Sequence, residues 1–211
     1  ALQDLAAHHR SIHTADVIGI TGSNGKTIVK EWIHQVLSPD FRLVRSPKSF
    51  NSQLGVPLSV LLLEENTQVA VFEAGISCPG EMEKLQRIIR PGIGILTNIG
   101  EAHQEGFIDR EQKITEKIRL FRECRKIIYC RDQLEVDRLM RMHFPEERLF
   151  AWSSEHHPNN HRIHLHAVDE EVDISLPFED RASVENAAHV IALMVLLKFP
   201  PLLIQSRISD L

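Results

Sequence analysis

Apolar positions along this chain follow two rhythms, and the change comes near Arg148. Before it, short apolar runs alternate with stretches whose apolar residues repeat at helical spacing. Asp16–Thr21 predicts a strand, followed by a helix over Thr27–Leu37 in which Ile28, Val29, Trp32, Ile33, Val36 and Leu37 line one face. Gln68–Glu73 leads, through Gly75 to Gly80, into a helix near Glu81–Ile89. Ile93–Asn98 precedes a loop and a helix around Glu111–Phe121, and Lys126–Cys130 runs into a helix over Asp132–Met142. Phe41–Val44 reads as an extra strand, and Val56–Leu63 as a short buried helix. Strands and helices alternating at this length predict an α/β fold, a mostly parallel sheet flanked by helices on both faces.

After Arg148 the rhythm has period two. Ile163, Leu165 and Ala167 fall on one side, with Arg162, His164 and His166 on the other. Val172, Ile174 and Leu176 resume the alternation beyond the Asp169-Glu170 turn, predicting an antiparallel hairpin at one sheet edge. A last long helix, Ser183–Lys198, places Ala187, Val190, Ile191, Met194 and Val195 on its buried side. At the ends, Leu2, Leu5 and Ala6 suggest a helix with no initiator methionine before it, and another helical pattern runs up to Ser209. That predicts a domain excised from a longer protein.

Composition adds mainly exclusions. With 211 residues, 43% hydrophobic and 25% charged, the chain can bury a substantial core. A net charge of -5 gives no electrostatic reason for nucleic acid or an anionic membrane as partner. No apolar run approaches a membrane span, and no signal peptide is visible. Cys78, Cys124 and Cys130 lack metal-site spacing and read as reduced thiols of a cytoplasmic protein.

The candidate chemistry starts at Gly19-Ile20-Thr21-Gly22-Ser23-Asn24-Gly25-Lys26-Thr27. Between strand and helix, Gly22, Ser23, Asn24 and Gly25 can cradle phosphate, since N–H groups and the positive helix end face the anion. Lys26 can reach β- and γ-phosphates, and the Thr27 hydroxyl can ligate Mg²⁺. Ile20 stands where the common loop has its first glycine, and an ordinary turn is the bland alternative. Glu73 ends an apolar run at the sheet edge where ligands bind, so it is either a metal ligand or a solvated acid. His103, in Thr97-Asn98-Ile99-Gly100-Glu101-Ala102-His103, is a candidate metal ligand or a surface histidine. Lys117 alone reads as a helix-surface lysine, because an ammonium repels Mg²⁺. Five histidines between His156 and His166 invite a metal reading, but strand alternation accounts for three of them.

Taken in order, these segments resemble the Mur ligases, which build the peptidoglycan stem peptide. The resemblance is carried by Thr21–Thr27 with Val29-Lys30-Glu31, Ser49–Pro57, Glu73-Ala74-Gly75, Thr97–His103, Glu116-Lys117-Ile118 and Asn186-Ala187-Ala188. The wording is most similar to the branch acting on UDP-N-acetylmuramoyl-tripeptide and D-alanyl-D-alanine, including forms fused to an alanine racemase. The resemblance implies that residues 16–211 are a central ATP-binding domain. It makes residues 1–15 a linker helix from a missing UDP-substrate domain, with a C-terminal ligase domain also missing. It implies ATP and two Mg²⁺ ions, an acyl-phosphate intermediate and little activity in this piece alone. It implies that Lys26 binds phosphate, that Thr27 and Glu73 hold one Mg²⁺, and that His103 helps to hold a second. It implies that Lys117 is carbamylated, turning an ammonium into an anion that supports metal, and that Asn186 contacts adenine. Asn51 and Ser52 would face the nucleotide-sugar peptide. Relatives often have histidine where this chain has Glu185, which leaves base recognition open. A folylpolyglutamate-synthetase-like ligase and a non-ligase P-loop module are the rival readings.

Overall fold

The structure is a computed structural model. It describes the chain except residues 101–105, 158–159, 167–169 and 175. The elements are α1 (Leu2–Ser11), β1 (Asp16–Thr21), α2 (Lys26–Leu37), β2 (Leu43–Arg45), α3 (Gly55–Val60), β3 (Val69–Glu73), α4 (Glu81–Ile89) and β4 (Ile93–Leu96). They continue with α5 (Arg110–Ile118), β5 (Lys126–Cys130), α6 (Leu134–His143), β6 (Leu149–His157), β7 (Asn160–Leu165), β8 (Glu170–Ile174), α7 (Arg181–Leu196) and α8 (Pro201–Ser209).

The strands form one eight-stranded sheet in the order β2-β3-β1-β4-β5-β6-β7-β8. From β2 to β6 every pairing is parallel; β6–β7 and β7–β8 are antiparallel. This is the expected α/β architecture, with the expected antiparallel edge. That edge has a third strand, because β6 pairs with β5 through Leu149–Trp152 and continues to pair with β7 from Trp152 to His157.

Alternation along each strand feeds two cores. Val17, Ala70, Phe72, Ile127 and Tyr129 face α1, α3, α4, α5 and α6, while Ile18, Ile20, Val71, Ile128 and Cys130 face α2, α7 and α8. Burial on both faces is why these strands read as unbroken apolar runs.

Several boundaries differ from the sequence expectation, each for a local reason. β4 stops at Leu96 because Thr97 and Asn98 turn their polar groups toward the loop after β1. α5 begins at Arg110 and α7 at Arg181 because Asp109 and Asp180 accept from the N–H groups of Gln112 and Ser183, as N-caps do. β2 lies later than Phe41–Val44, since Phe41 packs into the core beside Phe199. Ala167 and Asp169, assigned to the hairpin from sequence, lie outside the described residues.

Candidate nucleotide and metal site

The strand order places β1 between β3 and β4, and the carboxyl ends of all three meet at one edge. Ligands bind at such an edge in open α/β sheets. The loop after β1 leads into α2, whose first residues follow Gly25 in left-handed backbone (φ 81°) with no side-chain cap and no acid in the first turn. The helix N-terminus is therefore open to an anion.

Two glycines in this loop resist replacement. A Cβ on Gly22 (φ 149°) would stand 1.9 Å from Thr97 Oγ1, and one on Gly25 would stand 2.2 Å from Asn186 Oδ1. Asn186 of α7 thus packs against the phosphate loop itself, far from it in sequence. Residues after β4 brace the loop from the other side. Ser23 N donates to Asn98 O at 2.8 Å, Asn24 N to Asn98 Oδ1 at 3.2 Å, and Thr97 Oγ1 to Asn24 O at 2.6 Å. The Ser23 hydroxyl is buried with no partner. A buried hydroxyl left unpaired in a loop of aligned N–H groups fits a ligand oxygen.

Glu73, at the end of β3, is fully buried and faces this loop. Its Oε2 accepts from Thr27 Oγ1 at 3.1 Å, and its Oε1 lies 2.9 Å from Lys30 Nζ. Asn51 Nδ2 approaches Oε2 at 3.5 Å, and Ser46 Oγ accepts the Glu73 N–H. Lys30 is fully buried as well. It also pairs with Glu31 at 3.1 Å and donates to the carbonyl of Lys48, a non-glycine residue in left-handed backbone (φ 47°). Sequence reasoning did not assign Lys30 a role. The available signal was a lysine sharing the buried stripe of α2 with Ile33 and Leu37. Ser52, expected to face substrate, spends its hydroxyl accepting the Gly55 N–H at the start of α3.

Lys26 Nζ curls back onto the carbonyls of Gly22 (3.0 Å) and Ser23 (3.1 Å), and burial lowers its pKa. On the other flank, α5 directs Lys117 Nζ to Gly22 O at 3.0 Å and Lys113 Nζ toward Gly100 O at 3.4 Å. Lys117 is 4% exposed rather than on the helix surface. Burial, then Lys26 and Lys113, push its pKa down to about 7. An amine near that value is about half neutral at neutral pH, and the neutral form is nucleophilic.

His103 lies outside the described residues. Among the described residues no three His, Cys, Asp or Glu side chains converge as a metal cage. The Thr27–Glu73 pair nevertheless suits Mg²⁺, which takes one or two protein oxygens and completes its shell with phosphates and water.

Residues 20–194 match the model of the Mur ligase middle domain. The UDP-N-acetylmuramoyl-tripeptide–D-alanyl-D-alanine ligase of Bacillus subtilis is 39% identical over 136 residues, covering 63% of this chain and 30% of that protein. Among solved structures, MurF from Acinetobacter baumannii superposes with a TM-score of 0.82 at 25% identity, covering 99% of this chain and 49% of that one. MurF ligase from Thermotoga maritima in complex with ADP shares the fold, with a TM-score of 0.80 at 21% identity, covering 100% of this chain and 51% of that one. The chain therefore spans about half the length of these solved relatives. The match from Ile20 to Met194 takes in the phosphate loop, Glu73, Lys117 and Asn186, and so this chain belongs to the Mur ligase middle-domain family.

Proposed function

We propose that this chain is the ATP-handling domain of a cytoplasmic ligase that joins D-alanyl-D-alanine to UDP-N-acetylmuramoyl-tripeptide through an acyl phosphate. The observation that carries the reading is the 3.1 Å contact between Thr27 Oγ1 and Glu73 Oε2, where the phosphate loop and a strand-end carboxylate converge. Residues 16–211 form the ATP-binding domain and residues 1–15 the link from a UDP-substrate domain, with a C-terminal ligase domain elsewhere in the protein. The free thiols Cys78, Cys124 and Cys130 suit a reducing compartment. No helix among the described residues is long and apolar enough to cross a membrane.

In this reading a carboxylate oxygen of the tripeptide attacks the γ-phosphorus and ADP leaves. The amine of D-alanyl-D-alanine then attacks the acyl carbon, loses a proton, and phosphate departs as the amide forms. Gly22, Ser23, Asn24 and Gly25 hold the phosphate chain through backbone N–H groups, and Lys26 unwinds from its own loop to reach the terminal phosphate. Thr27 and Glu73 hold Mg²⁺, with His103 on a second ion; bound metal supplies charge neutralisation at the transferred group. Lys117, as a neutral amine, can add CO₂ and become the anion that a second cation requires. Asn186 borders the loop on the base side, and Asn51 links Glu73 to the peptide-facing segment that includes Ser52. Phosphoryl transfer depends on positioning and charge neutralisation more than on a strong base, and these residues supply both.

The test is phosphate release by the full gene product. Release should require both UDP-N-acetylmuramoyl-tripeptide and D-alanyl-D-alanine, and Glu73→Ala or Lys26→Ala should lower it by about 10² or more. Turnover with a folate and glutamate instead would favour the folylpolyglutamate-type reading. Nanomolar nucleotide affinity without acceptor-dependent turnover would favour a switch module.

A further inference from the structure

A cavity of about 480 Å³ opens between α4, the end of α5 and the end of α6. It lies toward the amino-terminal edge of the sheet, since Arg122 and Arg148 on its wall just precede β5 and β6. The nucleotide site occupies the opposite edge. A cavity of this size is in the range that holds small ligands.

Three features define what it would hold. Gln86 of α4 lines it and is only 5% exposed, yet its Nε2 has no hydrogen-bond partner. A buried amide donor left unpaired is costly, and an acceptor atom in the cavity relieves that cost. The wall is also cationic. Arg122 and Arg148 have no carboxylate partner among the described residues, whereas Arg119 is paired with Glu116 at 3.1 Å. Arg148 spends Nε and Nη2 on the carbonyls of Cys124 and Phe121, both at 2.6 Å, and this fixes its guanidinium 5.1 Å from the Phe144 ring centroid. The one acid on the wall, Glu83, already pairs with Arg87 at 2.8 Å. Finally, Ile118 and Phe144 supply an apolar surface between these polar groups.

We infer that this cavity is a second ligand site, specific for a small organic anion. Its carboxylate or phosphate group sits by Arg122 and Arg148, an acceptor atom meets Gln86 Nε2, and its apolar part rests on Ile118 and Phe144. The inference does not depend on the proposed ligase activity.

The test uses the full gene product with ¹⁵N-labelled glutamine side chains. The Gln86 resonance is identified by its loss in Gln86→Met. Benzoate and phenyl phosphate carry the two candidate anionic groups on one apolar body, and benzamide is the uncharged control. Saturable shifts of the Gln86 amide with either anion, none with benzamide, and about tenfold weaker binding in the surface variant Arg122→Ala support the site. Which of the two anions binds tighter identifies the headgroup. The inference is overturned by an unmoved Gln86 resonance, by equal binding of benzamide, or by shifts that persist unchanged in Arg122→Ala.

Discussion

The two flanks of the phosphate loop each bury a lysine, and they treat it in opposite ways. On the β3 flank, Lys30 is neutralised by Glu73 at 2.9 Å, and Glu73 also accepts from Thr27. On the β4 flank, Lys117 has no carboxylate partner among the described residues and donates to the Gly22 carbonyl, and burial with Lys26 and Lys113 nearby lowers its pKa to about 7. One flank is balanced before any ligand arrives. On the other, the lysine rests on a carbonyl rather than a carboxylate among the described residues. Burial alone therefore does not set a lysine's state; the partner does.

The largest expected effect tests the balanced flank. Lys30→Met and Glu73→Leu should each destabilise the fold by about 3–5 kcal/mol in urea unfolding, because each strands a buried charge. The double variant should recover most of that loss. Additive losses would mean that the two residues are not an energetic pair.

The second test addresses the other flank. With a folded pKa of about 7 against 10.5 in an unfolded chain, Lys117 penalises the fold fully below pH 7. Between those values only the unfolded chain holds the proton, so the penalty shrinks as pH rises and is gone above 10.5. In CO₂-free buffer at pH 6, Lys117→Met should be more stable than wild type by about 2–4 kcal/mol, with the gap narrowing at pH 9. A pH-independent difference would remove the contrast between the flanks.

The smallest effect concerns what holds the cationic flank in place. Asp109 Oδ1 accepts from Gln112 N at 2.7 Å and starts the helix that carries Lys113 and Lys117. Asp109→Ala should cost about 1 kcal/mol, seen as a melting shift of about 2–4 °C, and should leave the Lys30–Glu73 coupling unchanged.

Much of this architecture was legible because it rests on short-range patterns. The Asp16–Thr21, Glu81–Ile89 and Lys126–Cys130 spans coincide with β1, α4 and β5. Apolar rhythm and strand-terminal polar residues fix such elements locally. The loop was readable from its glycines, and Glu73 from its place at a strand end. The Lys30–Glu73 pair was not readable, since it joins residues on separate elements, although the place of Lys30 on the apolar stripe of α2 hinted at its burial. The burial of Lys117 was hidden because a lone lysine in a helix reads as surface. Local capping by Asp109 and Asp180 moved two helix starts by one or two residues, and the parallel pairing of β6 to β5 is long-range information that no window of sequence contains.

The last long helix has a second point of attachment. One turn beyond Asn186, His189 is buried, and its Nδ1 accepts the indole N–H of Trp152 on β6 at 3.1 Å. Burial drives that imidazole down to about 3, so it stays uncharged at any physiological acidity. The helix therefore acts as a beam bolted at two places, to the glycine loop after β1 through Asn186 and to β6 at the next turn. Protons at physiological pH cannot loosen the second bolt, because the imidazole that accepts the indole N–H stays neutral there.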